Sequence, residues 1–131
     1  MLTCLAFMLS ANLTELPTLA AEVEAEARAL SAQTELSPAL IAGIEDFSAD
    51  AERLSAALRE AGVEQDLPCI FHGIAEDARA RVAELQAADT APERTEAFTN
   101  LRVLLDDAVL IAPMAASAAA DIAQEQQQAA R

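Results

Sequence analysis

The chain has no lysine, no tryptophan and no tyrosine, and only three glycines and four phenylalanines among its 131 residues. All 8 of its basic residues are therefore arginine, and against 22 acids they leave a net charge of −14 at pH 7. That balance disfavours nucleic acid as a partner, because phosphate binding needs an unneutralised basic surface. Several arginines also stand one helical turn from an acid (Glu24 and Arg28, Asp50 and Arg53, Glu76 and Arg79, Asp77 and Arg81), which uses up much of the positive charge. Anionic membrane surfaces are disfavoured on the same ground. With so little glycine there is no GxGxxG, no Walker loop and no GxSxG, and no cofactor is implied. Cys4 and Cys69 form no CxxC and no disulfide framework; they read as reduced thiols in a cytoplasmic protein, a single bridge between them being the alternative. The apolar segment Met1 to Leu9 has no Lys or Arg before it and so lacks the positive start of a secretory signal; it reads as a packed turn or helix, a signal peptide being the alternative.

What the chain does have is aliphatic bulk and helix punctuation. Hydrophobic residues make up 53% of it, chiefly Ala, Leu, Ile and Val, so a core of close-packed helices is expected. Ser37-Pro38, Asp66-Leu67-Pro68 and Thr90-Ala91-Pro92-Glu93 each place a capping side chain just before a proline that a first turn tolerates. These divide the chain into four helices with short connections. The fold expected is all-α, an antiparallel up-down four-helix bundle filling residues 1–131 as one domain.

Apolar positions repeat at steps of four and three. The first helix is expected from about Asn12, a cap with Glu15 three residues on, to about Gln33, with Leu13, Leu16, Leu19 or Ala20, Val23, Ala27 and Leu30 inward. Pro17 either falls in its first turn or kinks a longer helix that includes Leu5 and Phe7. In the second helix Leu40, Ile44, Phe47, Ala51, Leu54, Leu58 and Ala61 form the stripe, Gly43 is a weak point or a close approach, and Gly62 is the stop. The third, about Leu67 to Ala87, turns Leu67, Phe71, Ile74, Ala78, Val82 and Leu85 inward.

The fourth starts at the Thr90 to Glu93 capping box and sets Ala97, Leu101, Leu104, Ala108, Ile111, Ala115, Ala118 and Ile122 in heptad register, with Pro113 as a kink or a break. The uncharged run Ala108 to Ala120 is too short to span a bilayer, and belongs in the bundle centre or in a subunit contact through Ala108, Ile111, Met114 and Ala115. Gln124 to Arg131 reads as a fraying tail.

One constellation could carry chemistry. On a helical wheel centred on the core near 10°, Cys69, His72 and Glu76 fall at about 200°, 140° and 180°, so they share the exposed face of the third helix. Thiolate, imidazole and carboxylate all ligate metals, but no second half-site is evident and no metal is expected. His72 is the only histidine. Midway along a bundle and beside Gly73, it resembles a histidine phosphotransfer domain in architecture. Such domains carry a basic residue three positions after the His and a small one next, where this chain has Ala75 and Glu76. The adjacent acids Glu45-Asp46, Glu76-Asp77 and Asp106-Asp107 point about 100° apart and make no facing dyad. A di-iron bundle would need Glu-x-x-His on two helices.

The function expected is that of a non-enzymatic protein-interaction or adaptor module with an unidentified protein partner, a homodimer being one form of that association. Phosphotransfer through His72, a metal or small-ligand site at Cys69 and His72, and an acidic decoy of nucleic acid are the rivals.

Overall fold

Ser37 and Thr90 sit in extended backbone, where a side-chain oxygen can reach forward. Leu40 N donates to Ser37 Oγ at 3.0 Å and Glu93 N to Thr90 Oγ1 at 3.3 Å, with proline in each first turn. Glu93 in turn accepts from Asp89 N at 3.1 Å, the reciprocal half of the box taken one residue early. Asp66 departs from expectation. Its φ of −84° and ψ of −2° are already helical, and its side chain makes no cap hydrogen bond.

The computed structural model of the protein describes residues 2–64 and 66–130, with side chains from residue 15 onward. They form α1 (Leu2–Ser31), α2 (Pro38–Glu60), α3 (Leu67–Ala87) and α4 (Ala91–Ala129), with no strand among the described residues. Each helix packs on its predecessor, and α4 closes on α1, so the four form a ring. Residues 32–37, 61–66 and 88–90 are the only connections, short enough that successive helices run antiparallel. Gly62 ends α2 with φ +80°, a conformation other residues reach only at a cost. The result is an all-α four-helix bundle.

Three stripes fall as the periodicity requires. Leu16, Leu19, Ala20, Val23, Ala27 and Leu30 of α1, Leu40, Ile44, Phe47, Ala51, Leu54 and Leu58 of α2, and all six expected positions of α3 are buried. Ala61 lies half-buried at the edge. Gly43 is a close approach: a Cβ there would stand 2.8 Å from Leu30 Cδ2 of α1.

In the two longest helices the longer of the expected alternatives holds. α1 starts at Leu2, not near Asn12, and runs through Pro17; Asn12 and Leu13 carry side chains outside the described set, as does Cys4. α4 runs unbroken through Pro113, and the Gln-rich end is helical to Ala129 and exposed rather than a loose tail.

The register of α4 also differs. Its buried positions are Ala97, Leu101, Leu104, Leu105, Ala108, Ala112, Ala115 and Ala119, whereas Ile111, Ala118 and Ile122 are only half-buried. Ala97, Ala108 and Ala119 are eleven apart, as are Leu101 and Ala112, and Leu104 and Ala115. That period, three turns in eleven residues, belongs to a nearly straight helix, whereas a heptad drifts about 20° per repeat off an unsupercoiled one. By length and composition α4 could cross a membrane: an 18-residue window has mean hydropathy 1.6, with 33% of it buried in the bundle. The uncharged run is therefore part of a longer apolar window than its own thirteen residues.

Candidate functional site

Along the seam between α2 and α3, small polar side chains of α2 reach carbonyls of α3. Ser55 Oγ donates to Pro68 O at 2.6 Å and Ser48 Oγ to Ala75 O at 2.8 Å, both fully enclosed. Glu52 lies between them in sequence. It faces His72, whose Nδ1 lies 2.8 Å and 3.0 Å from its two carboxylate oxygens. His72 Nε2 meets Glu76 Oε1 at 3.2 Å, one turn along α3. Arg79 Nη2 closes on Glu52 at 3.8 Å. The arginine so expected to pair with Glu76 crosses to α2 instead, and Arg81 pairs with Glu84 at 3.3 Å rather than with Asp77.

Cys69, His72 and Glu76 thus share one face, as the wheel predicts, but they do not act as a trio. Cys69 is a free, exposed thiol. Among the described residues no three His, Cys, Asp or Glu side chains are arranged to hold a metal ion. The hydrogen bond to Glu52, the charge of Glu52 and then the charge of Glu76 raise the His72 imidazole above its usual pKa. Protonated, it donates from Nδ1 to Glu52 and lies within ion-pair distance of Glu76. A phosphoryl acceptor needs the opposite, a free nitrogen lone pair facing a partner, and two anions would repel the incoming phosphate. The geometry fits a clamp between helices.

Glu52, Ser48 and Ser55 are the contributors the periodicity did not single out. The signal existed: Ser48 and Ser55 are seven apart and lie next to the apolar positions Phe47 and Leu54, inside the arc a helix must bury.

A second surface lies on α4. Of the four residues expected at a subunit contact, Ala108 and Ala115 are fully buried in the bundle's own core and Ile111 is half-buried, so none of these three presents a free face. Met114 does, at 57% exposure, with Val103 at 58% and Leu110 at 73%. These three share one side of α4, Val103 and Met114 by the same eleven-residue spacing and Leu110 one heptad from Val103. Beside Met114 a cleft of about 610 Å³ opens between α4 and the α2–α3 connection. Val63, Leu67 and Ile122 line it together with the carboxylates of Glu64, Asp121 and Glu125, and no basic residue joins them.

Comparison with known protein families, with curated proteins and with solved structures returns no match to this chain.

Proposed function

We propose that this protein is a non-enzymatic interaction module whose α4 receives a basic amphipathic helix. The observation that carries this reading is the exposed row of Val103, Leu110 and Met114 beside a cleft whose charges are all negative. A helix laid on that row would bury its apolar side on Leu110 and Met114 and bring Lys or Arg to Glu64, Asp121 and Glu125. A second copy is the poorer occupant, since each chain carries −14 and Asp106 and Asp107 are exposed on the same helix. The free Cys69 thiol is in keeping with a reducing, cytoplasmic setting.

The test is calorimetric titration with a short amphipathic helix of leucine and lysine, and with a scrambled peptide of the same composition. The amphipathic peptide is expected to bind at least about tenfold more tightly, and the difference to vanish in Leu110→Ser/Met114→Ser. Equal binding of the two peptides would refute the proposal. So would sedimentation of a dimer that dissociates in the double variant, which would assign the face to a second copy.

A further inference from the structure

We infer a second binding site, at the other end of α4, for a ligand with two acidic groups separated by an apolar segment. A cleft of about 530 Å³ lies between the α1–α2 connection and the first turns of α4, and Arg94, Phe98 and Arg102 line it. They follow one another at i, i+4 and i+8, so they form a single row about 12 Å long on the helix surface, with Phe98 between the two arginines.

The charge of these arginines is uncommitted in a chain where charge of that sign is scarce. Arg28, Arg53, Arg79 and Arg81 are each within 4.0 Å of a carboxylate. Arg94 spends one N–H on the Asp89 carbonyl at 3.3 Å and forms no ion pair with an acid among the described residues. Arg102 forms no ion pair or hydrogen bond among the described residues. Glu35 lines the same cleft, yet forms no ion pair with either of them. Only one other described arginine, Arg59, is without a carboxylate partner, and it sits near His72 on the α2–α3 side.

The remaining lining sorts the ligand. Thr95 and Thr99 donate their hydroxyl protons back to Ala91 O and Thr95 O, so they leave the guanidinium groups as the main donors. Phe98 is half-buried, with its body against the core, and Leu36 is 41% exposed across the cleft. A planar fork at each end takes a carboxylate or phosphate bidentately, and the apolar middle takes hydrocarbon. The volume is that of a small-molecule site. A linear diacid and a peptide with two acidic side chains flanking apolar ones have the same chemistry.

The experiment is calorimetry on the full chain with decanedioate, with decanoate, and with a capped peptide in which two glutamates flank three leucines. Either diacid is expected to bind at least about tenfold more tightly than decanoate; which of the two does so identifies the source. Arg94→Gln and Arg102→Gln should each bring the diacid down to the decanoate level, with the helical circular dichroism unchanged. The inference fails if neither diacid outbinds decanoate, or if the Arg94→Gln/Arg102→Gln double variant binds as the parent does.

Discussion

Gly43 and Gly73 both sit inside helices, and the same substitution to alanine should move stability in different directions at the two. In a helix interior Ala is favoured over Gly by about 0.5–1 kcal/mol, because the unfolded glycine has more conformations to lose. At Gly73 an added Cβ meets nothing within 4 Å. Gly73→Ala should therefore keep the whole gain and raise Tm by about 2–5 °C for a domain of this size. At Gly43 the Cβ would stand 2.8 Å from Leu30 Cδ2. Leu30 is buried, so relieving that overlap costs about 1–2 kcal/mol even though the obstacle is the tip of a flexible side chain. Gly43→Ala should come out between neutral and about 1.5 kcal/mol destabilised. Removing the obstacle supplies the control: in a Leu30→Ala background, itself about 2–3 kcal/mol less stable, Gly43→Ala should become as stabilising as Gly73→Ala. Urea unfolding followed by far-ultraviolet circular dichroism suits a chain without Trp or Tyr. Equal stabilisation at both glycines in the parent, or no coupling between residues 30 and 43, would refute the reasoning.

Two further outcomes follow from the polar contacts between helices. Ser55→Ala removes the hydroxyl that reaches Pro68 O across the α2–α3 seam and should cost about 1 kcal/mol in the same unfolding assay. Glu26 of α1 is pushed up to about 8 by burial, by a hydrogen bond with Asp50 of α2 and by the charges of Asp50, Glu22 and Asp46, while its Oε2 is enclosed without a partner. Because the folded state holds this proton more tightly than the unfolded one, stability should fall as pH rises from about 4.5 to about 8. After discounting for solvent screening the loss is about 1–2 kcal/mol. Glu26→Gln, which keeps a donor for Asp50 at every pH, should flatten that part of the profile, and an unchanged slope would show that the proton is not held there. The raised His72 pKa contributes in the same direction: its clamp is fully formed below pH 6.5 and fades as pH climbs through the higher folded value.

The parts of the fold legible in the sequence were those set by local geometry. Ser37 and Thr90 cap because a short side chain beside a proline has one good use there, and the stripes of α2 and α3 are buried because both helices are flanked on two sides. What stayed hidden depended on the backbone at a single residue or on partners distant in sequence. Asp66 has a capping residue's chemistry, but its φ and ψ are helical and its side chain makes no cap hydrogen bond. Arg79 has an acid one turn away in Glu76 and turns instead to Glu52, which already faces His72 from α2. The site was half legible for the same reason: Cys69, His72 and Glu76 lie on one α3 face as a wheel requires, but the group that decides what His72 does is 20 residues away in the chain.

α4 shows how one periodicity can serve two surfaces. A heptad reading places Ile111 and Ile122 in the core, and the bundle buries Ala112, Ala115 and Ala119 there. Alanine lets α4 lie close against α1, the neighbour with which it shares its most extensive packing. The larger Ile111 and Ile122 are only partly buried against the core, and Leu110 and Met114 are exposed. An isolated exposed leucine needs no explanation, but a row of three large apolar side chains at helical spacing, next to a cleft lined with acids, is a surface whose burial would release free energy. The same narrowness that makes the core of α4 alanine-rich therefore leaves its bulky residues where a partner can reach them, and filling the seam should uncouple the two. Ala112→Leu is expected to destabilise the bundle by about 1–3 kcal/mol through overpacking, yet to leave binding of the leucine and lysine helix within about twofold, once both are measured on folded protein. If the substitution abolished binding while the fold persisted, the outer row would owe its position to the inner one, and the two faces of α4 would not be separable.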